Sequence, residues 1–233
     1  MVDPFWFEAY RGGAPPWEIG RAQPAFVELA QAGEIKGSVL DLGCGTGDNT
    51  LEFAERGNEA WGIDIVPMAI DQAKAKARLR GLEKDVTFLV GDALEIEHLN
   101  RKFDTVIDCG LFHAFSDPER QLYEQQLARI LPPGGVFHLM TISDWEDSSW
   151  GGPRRVSQQE IIETFSSGWR IDDIREARFN TAMARIKGHA WLATILRESD
   201  QKPRKKQKTQ AEPPVKAPKL PVVKERREAL AVR

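Results

Sequence analysis

Val39-Leu40-Asp41-Leu42-Gly43-Cys44-Gly45-Thr46-Gly47-Asp48 is the stretch that decides the fold. Ser38 to Leu42 is an apolar run interrupted only by Asp41, with the length of a buried strand, and it ends in glycines. From Asp48 onward the spacing is helical, so the glycines join a strand to a helix. In an open α/β sheet such a turn lies at the carboxyl edge of the strands, where ligands bind. Glycine there permits positive φ and removes the Cβ that would hold a ligand off. A dinucleotide-binding loop has the spacing G-x-G-x-x-G and rests a pyrophosphate on the helix N-terminus. This loop reads G-x-G-x-G, and Asp48 stands where the pyrophosphate would press. Asp64 follows Gly43 by 21 residues, at the end of the next apolar run. A carboxylate there accepts both ribose hydroxyls. The pattern favours adenosine attached to something other than phosphate.

Outward from this loop, further short runs read as strands: Ala60–Ile65, Val86–Val90, Phe103–Asp108 and Gly135–Met140. Helices alternate with them. Asp48 is expected to cap one that runs through Glu55, and Pro67 opens one that stops at Gly81. Asp117-Pro118 begins another that ends before Pro132. Ser157 and Glu160 have capping-box spacing. Upstream, Pro24 to Ala32 is a helix stopped by Gly33. Strand-helix alternation implies a mainly parallel sheet covered on both faces. Trp169–Phe179 and His189–Arg197 read as two strands with no helix between them, which predicts an antiparallel hairpin at the sheet's end.

The chain has 233 residues, 41% hydrophobic and 29% charged, which fits one globular domain with an appendage. Residues 198–233 hold 11 basic and 5 acidic residues, net +6; residues 1–197 hold 21 and 30, net −9. That C-terminal stretch also carries 5 of the 14 prolines and no aromatic residue, and it reads as a disordered tail. Lys202 to Lys208 is its basic run, able to touch nucleic acid or an acidic partner. Val222 to Val232 has the makings of a short helix. The acidic body argues against a polyanionic substrate. Cys44 and Cys109 are too few for a disulfide framework, and no CxxC or Cys/His cluster suggests a metal. No apolar run approaches the roughly 20 residues of a membrane span. Met1-Val2-Asp3-Pro4 does not begin a signal peptide. A reduced, cytoplasmic protein is expected, and collagen-like, membrane and disulfide-rich classes are excluded.

Asp41-Leu42-Gly43-Cys44-Gly45-Thr46-Gly47 resembles the signature loop of class I S-adenosylmethionine-dependent methyltransferases. Asp64 falls at that family's ribose-binding acid. Gly91-Asp92-Ala93 resembles its adenine-binding turn, although Asp92 also reads as a plain helix cap. Asp108-Cys109-Gly110 matches its next motif. The resemblance covers residues 5–197. It implies a doubly wound, Rossmann-like sheet of seven mostly parallel strands, S-adenosyl-L-methionine as cofactor, and a cofactor site that includes Asp41, Gly43, Gly45, Asp64, Ile65, Asp92, Ala93 and Asp108.

Trp6, Tyr10 and Trp17, followed by Glu18-Ile19-Gly20-Arg21 and Pro24, are similar to the opening of the thiopurine S-methyltransferase-like group. That group includes plant halide/thiol methyltransferases and bacterial methyltransferases of small heteroaromatic compounds. Here the middle aromatic is Tyr10 rather than Trp. The resemblance implies that residues 1–33 form an aromatic arm and helix covering the cofactor, with residues 34–197 as the methyltransferase domain. Aromatic faces attract a sulfonium and exclude water from a displacement. Their other reading is plain packing of the arm. Glu18 or Arg21 is a candidate partner for the amino-acid end of the cofactor.

On the acceptor side, Asp108-Cys109-Gly110-Leu111 replaces the Asn/Asp-Pro-Pro-Tyr/Phe tetrad of the fold's nucleic-acid and protein amine methyltransferases. Phe112, Phe115, Trp145 and Trp150 suggest an apolar pocket for a small molecule, with Asp144 at its border. His113 is the one ionisable candidate for a general base, against a reading as a structural histidine. Cys44 and Cys109 read as packing residues. The expected reaction is methylation of a small molecule, a thiol or halide first. The alternatives are a hydroxyl or nitrogen on a heteroaromatic ring, an RNA contacted through the tail, and a noncatalytic cofactor-binding module.

Overall fold

A computed structural model describes residues 4–147, 149, 152–182 and 187–199. The disordered-tail reading, its helix at Val222–Val232, and Trp150 lie outside the described residues. Those described fall in one compact unit, Met1–Asp200.

Five strands form the parallel part of the sheet: β1 (Ser38–Leu42), β2 (Glu59–Asp64), β3 (Val86–Val90), β4 (Thr105–Cys109) and β5 (Val136–Ile142). Two antiparallel strands, β6 (Trp169–Asn180) and β7 (Lys187–Arg197), complete seven in the order β3-β2-β1-β4-β5-β7-β6. The chain winds outward from β1 to β3, then returns to place β4 on the other side of β1. The crevice between the carboxyl ends of β1 and β4 is therefore the topological switch point.

Alternation along the central strands sends side chains to two cores. Leu40, Leu42, Val106, Phe137 and Leu139 join Phe112, Tyr123, Leu127 and Phe165 on one face. Val39, Ile107, Met140 and Ile142 join Phe26, Leu29, Phe53 and Phe179 on the other. The helices α2 (Pro24–Gln31) and α3 (Asp48–Glu55) cover the second face, and α5 (Asp117–Ile130) with α6 (Gln158–Thr164) cover the first. No helix among the described residues is long and apolar enough to cross a membrane.

Local chemistry sets the helix ends. Pro67 starts α4 (Pro67–Arg80), where its missing N–H is not needed, and Gly81 ends it at φ 71°. Capping boxes hold α5 (Ser116 with Glu119) and α6 (Ser157 with Glu160). The expected cap at Asp48 is corrected. Gly47, at φ 82°, precedes α3, and Asp48 is its first residue. The Asp48 carboxylate is instead held by Lys76 at 2.7 Å and Arg80 at 3.3 Å. Phe103 and Asp104 do not begin β4; their N–H groups bond Ile130 and Ser38 before the ladder starts. Three elements went unread in the sequence, the helix α1 (Pro4–Arg11) and 3-10 turns over Ala93–Leu99 and Phe112–Ala114.

Candidate active site

The glycine loop is fastened to β2 by backbone alone: the N–H groups of Gly43 and Cys44 both donate to the Ile63 carbonyl at 2.9 Å. Its three glycines have different neighbours. A Cβ on Gly43 would come within 3.1 Å of Leu111, and one on Gly45 would lie 2.3 Å from Glu18 Oε1 and 2.9 Å from the Tyr10 hydroxyl. A Cβ on Gly47 would lie 2.6 Å from the Phe88 ring, and one on Gly62 would lie 2.7 Å from the same ring. The third glycine thus serves core packing, while the first two admit Leu111 and the arm's Glu18 and Tyr10 close to the loop.

Asp64 closes this loop onto the end of β2. Its Oδ2 accepts from Gly45 N–H and its Oδ1 from Val66 N–H, both at 2.9 Å. An ionised carboxylate has about four acceptor positions, so each oxygen keeps one for a ligand hydroxyl. Burial raises its pKa, with the nearby Glu18 charge adding to the effect.

The arm brings Trp6, Tyr10 and Trp17 together over the same edge. Trp6 and Trp17 meet edge to face at 5.7 Å, and Trp17 Nε1–H donates to the Tyr10 hydroxyl at 3.2 Å. Tyr10 is 5% exposed, and it packs with Trp6 and Ile65 on Val66 and Ala69. Trp17 remains 37% exposed. The Tyr10 hydroxyl donates to Glu18 Oε1 at 2.6 Å, and that oxygen also accepts from Thr46 N–H at 3.1 Å. Glu18 Oε2 accepts from the Thr46 hydroxyl, which in turn accepts from Lys76. Glu18 therefore joins the arm to the loop, whereas Arg21 is exposed. Further along, Pro16 O accepts from Ala182 N–H at 2.8 Å, and Gln23 exchanges two hydrogen bonds with Asn180 at 2.9 and 3.0 Å.

Asp41 and Asp108 sit on adjacent strands but face opposite cores. Asp41 Oδ2 accepts from Thr50 on α3 at 2.8 Å, while its buried Oδ1 has no partner. Asp108 Oδ1 accepts from Leu111 N–H at 2.8 Å and Phe112 N–H at 3.3 Å, and Oδ2 from the Tyr123 hydroxyl at 3.0 Å. The expectation of a cofactor contact by Asp108 does not fit this geometry. The residue is fully buried, one oxygen serves the turn after β4, and the other is held by Tyr123 on α5. Desolvation raises each carboxyl to a pKa of about 7.

Asp92 caps the 3-10 turn, accepting from Leu94 N–H at 2.9 Å, and Ala93 packs in the core. Beside them lies a hollow of about 200 Å³ lined by Ile63, Val90, Gly91, Asp92, Ile96 and Leu99.

The surroundings of His113 do not favour the role of general base expected of it. Its Nδ1 accepts the Ile142 N–H at 3.2 Å. A neutral imidazole with Nδ1 accepting carries its proton on Nε2, which leaves no lone pair to take another. Burial, with the Arg120 charge, lowers the His113 pKa to about 3. The aromatic pocket changes too. Phe112 is fully buried against Tyr123 and Phe165, and Phe115 packs on Tyr123. Trp145 is 56% exposed and leans on Trp191, whose Nε1–H donates to Asp144. Phe179, unremarked in the sequence, meets His113 edge to face at 6.1 Å.

A prediction follows from Asp41. A carboxyl with a pKa near 4 unfolded and about 7 folded stabilises the fold at low pH, and the contribution disappears as pH rises through 7. Two buried neutral histidines, His113 and His138, act in the opposite direction below about 6.5. Comparing Asp41→Asn with the wild type isolates the acid. Between pH 4.5 and 7.5 the ligand-free variant should gain several degrees in Tm relative to wild type. A difference that stays constant in paired melts would show that Asp41 is already ionised.

The comparisons with known proteins place the chain in a family. A family model described as a methyltransferase domain matches residues 39–135. The 2-heptyl-1-hydroxyquinolin-4(1H)-one methyltransferase of Mycobacteroides abscessus is 38% identical over 178 residues, covering 73% of this chain and 78% of that protein. A probable thiol methyltransferase 2 of Arabidopsis thaliana is 32% identical over 149 residues, 64% of this chain and 65% of that protein. A solved structure described as the conversion of a disulfide bond into a thioacetal group during echinomycin biosynthesis superimposes with a TM-score of 0.78 at 35% identity, over 86% of this chain and 94% of that one. With a seven-stranded sheet wound in this order and a relative this similar along most of its length, the chain belongs to the class I S-adenosylmethionine-dependent methyltransferases.

Proposed function

We propose that the protein methylates a small acceptor that reaches the site already ionised, a thiolate or halide first. The observation that carries this reading is the commitment, among the described residues, of three groups near the crevice that could take a proton. His113 Nδ1 is taken by a backbone N–H, both Asp108 oxygens are paired, and the Tyr10 hydroxyl is held by Glu18. An acceptor that brings its own charge needs no base.

The residues present fit the cofactor. The buried Asp41 Oδ1 without a partner suits an ammonium, Asp64 keeps acceptor positions for ribose hydroxyls, and the hollow at Val90–Asp92 suits an adenine edge. The rim formed by Glu18, Asp41 and Asp64 is acidic, which favours a cationic donor and disfavours a diphosphate. We assign Gly43 and Gly45 to close approach of the donor, Ile65 to contact beside the ribose, and Trp6 and Trp17 to the cover that keeps water out. When bound, S-adenosylmethionine supplies a methyl carbon activated by its sulfonium. The chain's part is to hold the two reactants in line and dry.

Sulfur as the attacking atom draws support from two relatives, one named for thiols and one described by its action on a disulfide. A ring hydroxyl is the second reading, favoured by the hydroxyquinolinone named for the Mycobacteroides relative. A labelled-methyl screen over iodide, bisulfide, aromatic thiols and hydroxylated heterocycles tests both. Transfer to thiols or iodide is expected. Transfer to neutral amines alone would overturn the ionised-acceptor reading.

A further inference from the structure

We infer that His113 is the hydrogen-bond donor that receives the ionised acceptor, and so selects anionic sulfur and oxygen nucleophiles. This deepens the reading above and rests on it.

The tautomer is the starting point. Ile142 N–H occupies Nδ1 at 3.2 Å, which places the ring's single proton on Nε2. The ring is 9% exposed, and Nε2 has no hydrogen-bond partner among the described residues. Unlike Nε2 of His138, it is not among the polar atoms sealed away from solvent. What remains open on this ring therefore includes a donor with nothing to donate to.

Its position suits an acceptor. His113 lies in a single 3-10 turn, Phe112–Ala114, just past the carboxyl end of β4. Leu111, two residues earlier, lies against Gly43 of the cofactor loop. The imidazole Cε1 lies 3.3 Å from where a Cβ on Gly110 would be. Phe179 walls the other side and precedes Asn180, which is bonded to the arm at Gln23. The turn, the loop, the hairpin and the arm thus converge on one edge of the sheet.

The charges are arranged to match. On the cofactor side stand Glu18, Asp41 and Asp64. On the acceptor side, the Arg120 guanidinium stacks 4.4 Å over Phe112 and donates to the Phe112 carbonyl at 3.3 Å. Arg120 pairs with Glu160 at 3.1 Å, yet its charge still disfavours a proton on His113. Asp108 is spent on the same turn. A cation is favoured on one side of the crevice and an anion on the other.

The transfer then balances without a base. The acceptor's lone pair forms the new bond to the methyl carbon, the carbon–sulfonium bond breaks, and its electron pair stays on sulfur. No proton leaves the acceptor in that step. A donor on the anion also stabilises it before attack, so the bound acceptor ionises at lower pH than in solution.

The experiment uses the full-length protein with thiophenols and hydroxyquinolines of graded acidity, comparing wild type with His113→Asn. Asparagine can still accept the Ile142 N–H but lacks the outer donor. In the wild type, the pH inflection of kcat should follow each acceptor and fall about one to two units below its solution pKa. In the variant it should return towards the solution value, with kcat/KM lower by about 10- to 100-fold for thiolates and oxyanions alike. An inflection that ignores the acceptor's acidity and vanishes in the variant would make His113 a base and overturn the inference. So would equal profiles in both proteins. A second measurement needs neither turnover nor a variant. The Nε2–H resonance of labelled wild type bound to S-adenosylhomocysteine should shift when 4-nitrothiophenolate is added. No shift overturns the donor role even if thiols are methylated; a shift with no methylation of any anionic acceptor would overturn the proposed function alone.

Discussion

Replacing Asp64 by alanine is expected to weaken S-adenosylmethionine binding at least about 100-fold. Two effects add. Each ribose hydroxyl loses a bond to a charged acceptor, worth about 1.5–3 kcal/mol. The loop itself also loosens, because Gly45 N–H and Val66 N–H both lose their partner. Asp64→Asn separates the two, since an amide keeps the shape and one acceptor oxygen. It should bind at an intermediate affinity with a Tm closer to wild type. Calorimetric titration on folded protein is the measurement, with a melt of each variant beside it. An Asp64→Ala protein that stays folded and binds as tightly as wild type would remove the ribose assignment.

The second large effect concerns Gly47. At φ 82° an alanine is strained, and its Cβ would sit 2.6 Å from Phe88 and 3.0 Å from Ala73. Positive φ costs about 1–2 kcal/mol and overpacking about 1–3 kcal/mol. Gly47→Ala should therefore lose about 2–5 kcal/mol, a large share of the 5–15 kcal/mol typical of a domain. Urea melts give the value. Adding Phe88→Leu should recover part of the loss, because the smaller side chain yields space to the new methyl. A single variant as stable as wild type would mean that Phe88 does not pin the loop.

Gly47 also shows what a sequence can and cannot convey. The run from Val39 to Asp48 announced a strand, a turn and a helix because each is coded locally. Asp64 was legible because it closes the very next strand. The hairpin was legible from two β-rich runs with nothing helical between them. That the third glycine accommodates a phenylalanine from β3 could not be read, because Phe88 lies 41 positions away. The arm's helix α1 was missed because its cohesion comes from packing on Val66 and Ala69, not from its own propensity. Glu18 stood out only as a possible cofactor partner; its link to Thr46 spans 28 positions. His113 was recognised as ionisable, but its tautomer depends on a backbone N–H in β5. Phe112 and Phe115 were both read as pocket residues, yet a turn three residues long directs one fully into the core.

The pair formed by Gln23 and Asn180 joins positions 157 apart. Such a bond cannot exist until the ribosome has delivered nearly the whole domain. A nascent chain can assemble its glycine elbow early, yet the cover over it is seated only when the last two strands arrive. Unfinished chains are thus poor traps for the sulfonium donor, and truncation before Asn180 should cost enclosure of the ligand well before it costs the first parallel strands.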